Sequence, residues 1–215
     1  MERMHKPYPI GIENFEEIIS GGYLYVDKTE YLHQLISAGK YYLLCRPRRF
    51  GKSLFMSTAE AFFEGKRKLF EGLAITRHDY DWKPSPVFHL SLINVKSADP
   101  ALLEAALVYQ FEKWESIYQV KNSPVPLGLR FEHIITTACE RTGRKVVILI
   151  DEYDKPLMSE TDDYDAKDAV RDILKPVYSN LKKCDRYIRF ALLTGVSRFS
   201  RLSIFSDLNN LNDIS

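Results

Sequence analysis

Residues 41–53 read YYLLCRPRRFGKS. Tyr41, Tyr42, Leu43, Leu44 and Cys45 form an apolar run long enough for a buried strand. A basic turn follows, Arg46-Pro47-Arg48-Arg49-Phe50, and then Gly51-Lys52-Ser53. Beyond it Leu54, Phe55, Ala59, Phe62 and Phe63 recur with helical spacing. Strand, loop, Gly-Lys-Ser and helix, in that order, make the phosphate-binding P-loop arrangement. A glycine lets backbone N–H groups close on phosphate oxygens, and the helix N-terminus adds the positive end of its dipole. Lys52 would reach the β- and γ-phosphates, and the Ser53 hydroxyl would be a Mg2+ ligand. The full pattern, G-x-x-x-x-G-K-S/T, wants a glycine where this chain has Arg46. On this stretch alone a surface turn with a solvated lysine competes.

A second stretch complements the first. Arg144-Lys145 lead into Val146-Val147-Ile148-Leu149-Ile150-Asp151-Glu152. Five apolar residues without a polar break fit a central parallel strand covered on both faces. Open α/β sheets bind ligands at the carboxyl ends of their strands, where Asp151 and Glu152 would lie. Asp151 would hold Mg2+ through water, and Glu152 would orient and deprotonate the attacking water. An N-cap or a solvated turn is the plainer alternative. The two strands together read as a Walker A and Walker B pair serving one nucleotide.

The remaining elements fall around these two. Phe15, Ile18 and Ile19 predict a short helix broken by Gly21-Gly22, and Tyr23, Tyr25 and Val26 a brief extended piece. Tyr31, Leu32, Leu35 and Ile36 predict a helix capped by Asp27 or Thr29, with a nucleotide-base lip stacked by Tyr23 or Tyr25 as the functional alternative. Gly65-Lys66-Arg67-Lys68 reads as a solvated helix end. Val87 to Leu92 alternates like a strand, with His89 as a packed or partly exposed strand residue. Asp99-Pro100 opens a long helix whose stripe is Leu103, Leu107, Phe111, Trp114 and Tyr118. Another helix carries Leu127, Phe131, Ile134, Ile135 and Ala138 and closes at Gly143. Asp162, Asp163 and Asp165 sit where a helix begins, which suits its dipole better than it suggests a metal site. That helix runs through Val170, Ile173, Leu174, Val177 and Leu181, with a kink expected at Pro176. A fourth strand spans Ile188 to Leu193 and ends in Thr194-Gly195. Thr194 stands where a sensor of the γ-phosphate or water would, or is a turn residue; Arg198 and Arg201 reach phosphate or face solvent. No further strand is expected in the polar tail.

Composition narrows the class. The chain has 215 residues and 45% hydrophobic content, enough for one sizeable core. Lys+Arg 30 against Asp+Glu 29 leaves a net charge of +1, so no global field draws the protein to nucleic acid or membrane. Arg46, Arg48, Arg49 and Lys52 remain a local cationic cluster whose natural partner is phosphate. Cys45, Cys139 and Cys184 lack metal-ligand spacing and read as buried free thiols. With no signal-peptide core and no long apolar run, a reducing cytoplasm fits.

Five segments resemble the bacterial AAA-ATPase-like family. They are residues 9–12 (PIGI), 25–29 (YVDKT), 46–53 (RPRRFGKS), 151–156 (DEYDKP) and 193–200 (LTGVSRFS). The resemblance implies an α/β P-loop NTPase of the additional-strand, catalytic-glutamate type, its central sheet mostly parallel and sandwiched by helices. It implies that RPRRFGKS is the family's own variant of the loop, and that the Walker B strand is not adjacent to the P-loop strand. It also implies a C-terminal lid followed by a PD-(D/E)xK nuclease-like domain; this chain is expected to end before either, as an ATPase-domain fragment or a shortened member without a complete lid. The organisation expected is an N-terminal segment, residues 1–36, packing on the core and lining the base pocket, and an NTPase core over 37–215.

The expected cofactors are ATP and Mg2+. Arg46, Pro47, Arg48, Arg49, Phe50, Gly51, Lys52, Ser53 and Leu54 are the candidate nucleotide contacts, with Asp27 beside them. Ser53 and Asp151 are the metal candidates, and Glu152, Lys52, Thr194 and Arg198 the catalytic ones. Alternatives are a nucleotide-gated switch with little turnover, or the ATPase part of a nuclease-associated system; neutral net charge disfavours direct nucleic-acid handling.

Overall fold

The computed structural model describes residues 6–93, 99–121, 124–158, 163–197 and 211–215. Five strands, β1 (Tyr41–Cys45), β2 (Val87–Ser91), β3 (Val146–Asp151), β4 (Ile188–Gly195) and β5 (Asn212–Asp213), form one sheet in the order β2-β3-β4-β1-β5. Every pairing is parallel. β3 is buried along its whole length, which is why its sequence shows no polar alternation.

Successive strand residues divide between two cores. Tyr41, Leu43, Ile148, Ile150, Ala191 and Leu193 face one side, and Tyr42, Val147, Leu149, Phe190 and Leu192 the other. The first face is covered by α4 (Pro100–Tyr118), α5 (Leu127–Thr142) and α6 (Tyr164–Lys183) through Leu103, Phe111, Phe131, Ile134, Val170 and Leu174. The second is covered by α1 (Phe15–Ser20), α2 (Thr29–Ala38) and α3 (Lys52–Phe63), with the turns at Arg67–Phe70 and Ala74–Arg77.

Local chemistry sets the helix ends. Asn14 accepts from the Glu17 amide, Asp99 from Leu102 and Asp163 from Ala166, each a side-chain N-cap. Asp163 is therefore a cap, and Asp162 lies outside the described residues. Gly143 ends α5 in the left-handed conformation at φ 65. α6 continues through Pro176. Gly128 lies against that proline: a Cβ there would come within 2.7 Å of Pro176 Cβ, so only glycine lets α5 and α6 approach this closely. A buried ion pair also joins α4 to α5, with Arg130 Nε 2.5 Å from Glu115 Oε1 and Nη2 2.6 Å from Oε2.

Residues 23–28, where a brief extended piece was expected, form a loop without helix or strand. One expectation needs correction. The tail, expected to add no strand, contributes β5 beside β1, with Tyr42 opposite Asn212 and Leu43 opposite Asp213. Asn and Asp are poor strand formers, but the open ladder edge of β1 accepts them, and the flanking Leu211 and Ile214 pack on the two cores while Ser215 Oγ accepts from Cys45 N at 2.7 Å. Among the described residues no helix is long and apolar enough to cross a membrane.

Candidate functional site

The carboxyl ends of β1, β4 and β3 share one edge of the sheet, with β4 between the other two. Leu44 is opposite Thr194, Cys45 opposite Gly195 and Ile150 opposite Leu193. The 46–53 loop leaves this edge, and its first amide, Arg46 N, donates to Gly195 O at 3.1 Å. Left-handed φ angles occur at Arg49 (68°) and Gly51 (74°) but not at Arg46, so the conformation asks for no glycine at position 46. Lys52 is only 6% exposed, and the loop wraps its ammonium. Nζ donates to Arg46 O at 3.0 Å and Pro47 O at 3.2 Å. Arg46, Arg48, Arg49 and Phe50 are exposed around it, and Ser53 is the second residue of α3, which Lys52 begins.

Asp151 ends β3 and is buried. Its Oδ1 accepts the Thr194 hydroxyl and the Glu152 amide, the latter at 3.1 Å. Thr194 is fully buried and its hydroxyl therefore orients Asp151. Glu152 adopts φ 53, a left-handed conformation that costs a non-glycine residue about 1–3 kcal/mol and concentrates at functional sites. Its carboxylate lies 3.3 Å from Lys155 Nζ, which also donates to Ile93 O. Ser53 and Asp151 line the same cavity of about 270 Å3, together with Ser57, Glu60, His89 and Ser91. His89, expected as a packed or partly exposed strand residue, is half-buried in β2 and directs Nδ1 at Glu60 Oε2 across 2.9 Å.

Sequence reasoning missed the residues that hold this edge in place. Tyr153 N donates to Thr194 O at 3.0 Å, and its hydroxyl to Ser197 O at 2.6 Å. Burial raises the Tyr153 phenol pKa, with the nearby Cys45 thiol adding to it. The buried Asp154 Oδ2 accepts from Val196 N at 2.9 Å and Ser197 N at 2.6 Å. Both side chains press on Gly195, where a Cβ would lie 2.6 Å from Tyr153 Cε1 and 2.7 Å from Asp154 Oδ1. The available signal was a third carboxylate within four residues, beside a glycine closing the neighbouring strand.

On the far side of the loop an apolar cavity of about 250 Å3 is lined by Tyr25, Val26, Gly51, Leu54 and Phe55. Tyr25 is hydrogen-bonded to Thr58 Oγ1 at 3.3 Å; Tyr23 instead covers Gly21. Asp27, named as a nucleotide contact, has its carboxylate engaged elsewhere. Oδ1 accepts from Thr29 N at 2.9 Å and Thr29 Oγ1 at 2.7 Å, and Oδ2 from Ala74 N at 2.7 Å. Partial burial pushes this carboxyl up, but the hydrogen bonds from Thr29 and Ala74 outweigh it and leave the pKa below its usual value. Asp27 thus ties Thr29 to the turn at Ala74, whereas the N-cap position of α2 is Lys28, without a side-chain cap hydrogen bond. Arg198 and Arg201 lie outside the described residues.

A parallel sheet flanked by helices, with a wrapped lysine at one strand end and a buried aspartate at another, defines an α/β protein of P-loop-like fold. The chain belongs to the AAA-ATPase-like family, described as "Predicted AAA-ATPase", which it matches over residues 9–205. It is 41% identical over 213 residues to an "Uncharacterized protein in vnfD 5'region" from Azotobacter chroococcum mcd 1. That similarity covers 98% of this chain and 41% of the relative, so the chain spans about two fifths of the relative's length. No solved structure matches it.

Proposed function

We propose that the protein is an ATP-binding, Mg2+-dependent ATPase module of the additional-strand, catalytic-glutamate type. The observation that carries this reading is the shared cavity of Ser53 and Asp151, which are far apart in sequence and come from α3 and β3. The strand order, with β4 between β1 and β3, supports the subtype.

The donor chemistry fits the metal. A serine hydroxyl and a carboxylate are both hard oxygen ligands, the kind Mg2+ takes alongside phosphate and water. Ser53 would ligate Mg2+ directly and Asp151 through water; bound there, the ion neutralises phosphate charge. Lys52 exchanges its contacts with Arg46 O and Pro47 O for β- and γ-phosphate oxygens. The backbone amides of residues 48–54, at the N-terminus of α3, close on the same phosphates. Arg46, Arg48 and Arg49 add exposed cationic charge, and the cavity of Tyr25, Leu54 and Phe55 accepts the apolar faces of the base. Glu152 orients the water that attacks the γ-phosphorus and takes its proton. Thr194 holds Asp151 in place.

A second reading, a nucleotide-gated switch with little turnover, is favoured by one observation: Lys155 occupies the Glu152 carboxylate. Phosphate release with Mg·ATP separates the two. Glu152→Gln should leave binding intact and lower turnover by about 10²–10⁴-fold. Wild-type release no faster than that of Glu152→Gln would reject hydrolysis and leave the switch.

A further inference from the structure

Away from the sheet edge, α2 and the turn after it bring together three side chains that ligate metals. Glu30 and His33 are three residues apart on α2 and so share one helix face. His78 follows the Ala74–Arg77 turn. One ligand atom from each lies within 4.8 Å of the others, and all three residues are half-buried. We propose that Glu30, His33 and His78 form a binding site for one divalent transition-metal ion of the zinc class.

The donor set selects the class. Two imidazoles and one carboxylate suit Zn2+, Co2+, Ni2+ or Cu2+, whereas Mg2+ and Ca2+ favour all-oxygen sites. Three protein ligands leave a fourth position for water or an incoming group. The groups already meet. His78 Nε2 lies 2.9 Å from Glu30 Oε2 and 3.2 Å from Oε1. The His33 and His78 rings stack with centroids 3.5 Å apart and planes 7° from parallel. A Glu30–His78 ion pair would by itself explain two of these residues, but it leaves His33 laid face to face on His78 without a reason. To share an ion at roughly 2.1 Å the two rings must turn out of their stack, a side-chain rotation that half-buried imidazoles can make.

The backbone beneath the site is fixed independently of those rings. Ala74 N donates to Asp27 Oδ2 at 2.7 Å and Ile75 N to Thr29 Oγ1 at 3.1 Å, binding the turn to the start of α2. His33 Nε2 lies 3.5 Å from Ser37 Oγ, a neighbour able to orient the ring. None of the three residues lines either cavity beside the 46–53 loop, so this site stands whether or not that loop takes ATP. A bound ion would clasp α2 to the turn across more than forty residues of chain, between His33 and His78.

The test uses the full chain, stripped with a chelator, and two probes: Zn2+ by calorimetry and Co2+ by its visible absorption. Wild type should take up one Zn2+ and develop the intense ligand-field bands of a low-symmetry Co2+ site, and Zn2+ should raise its unfolding midpoint. His33→Asn and His78→Asn should each weaken Zn2+ binding by about 100-fold or more, abolish the Co2+ bands and remove the thermal shift. Glu30→Gln, which preserves volume and hydrogen bonding, should weaken binding at least about tenfold. Absence of Zn2+ uptake by wild type would overturn the proposal. So would uptake of equal affinity in the two histidine variants, which would move the ion to other ligands such as the half-buried Cys139.

Discussion

Gly195→Ala tests how tightly the acidic turn is locked to the end of β4. The added Cβ would sit 2.6 Å from Tyr153 Cε1, 2.7 Å from Asp154 Oδ1 and 2.9 Å from Asp154 Cγ. Favourable carbon contacts begin near ~3.5 Å, so the neighbours must retreat by close to ~1 Å. They have little room. Tyr153 is fully buried with its hydroxyl on Ser197 O, and Asp154 is 1% exposed with two amides on one oxygen. Overpacking of this kind costs about 1–3 kcal/mol. In a chain of this size each kcal/mol lowers the midpoint by about 2–4 °C, giving a loss of roughly 2–12 °C by thermal circular dichroism. Asp151 and Glu152 move with the turn, so Mg·ATP turnover at 25 °C should also fall at least about tenfold, as one ångström of misplacement can cost more than that. Gly143→Ala is the control, because its Cβ meets nothing within 4 Å and it incurs only the strain of φ +65. That change should cost about 1 kcal/mol and spare turnover. A Gly195→Ala protein with wild-type midpoint and wild-type turnover would refute the close approach.

Removing one partner of the α4–α5 ion pair should be costly. Glu115→Ala takes from the Arg130 guanidinium, whose side chain is 11% exposed, its two-point carboxylate and leaves only Glu112 at 4.0 Å, at about 3 kcal/mol in urea unfolding, the low end for a broken buried pair; a loss under about 0.5 kcal/mol would mean that solvent or Glu112 compensates the charge. Asp27→Ala should cost about 1 kcal/mol at neutral pH, since the carboxylate is exposed and its hydrogen bonds are partly replaced by water. The folded pKa of Asp27 is depressed, so its contribution is complete above the unfolded value of about 3.9 and fades as pH falls through the folded one. The stability difference between wild type and Asp27→Ala should therefore shrink on acidification below about pH 4; a difference that grows there would reverse the sign.

Much of the fold is legible because burial imposes a pattern. β3 reads as an unbroken apolar run because both of its faces are covered, and α4 reads as a stripe because Leu103, Leu107, Phe111 and Trp114 face one core. β5 was not legible, since Asn212 and Asp213 are poor strand formers whose strand comes from their parallel pairing with β1. Neither was the full role of Asp27, whose Oδ1 stays on Thr29 while Oδ2 accepts from Ala74 N in a turn nearly fifty residues away that local sequence does not reveal. The same holds for Tyr153 and Asp154. Asp151 and Glu152 announce chemistry, but that Asp154, two residues on, instead anchors the Val196 and Ser197 amides depends on which strand lies beside β3. The Arg46 departure looked like a defect from sequence, and resolves once the left-handed positions are seen at Arg49 and Gly51.

Calorimetric titration of Mg·ATP into wild type, Lys52→Ala and Asp151→Asn bears most directly on whether the 46–53 loop and the end of β3 serve one triphosphate. Wild type should bind one nucleotide, Lys52→Ala should bind at least about tenfold more weakly, equivalent to about 1.4 kcal/mol, and Asp151→Asn should lose the Mg2+ dependence of binding. Equal affinities in all three proteins, with equal response to Mg2+, would contradict the shared site.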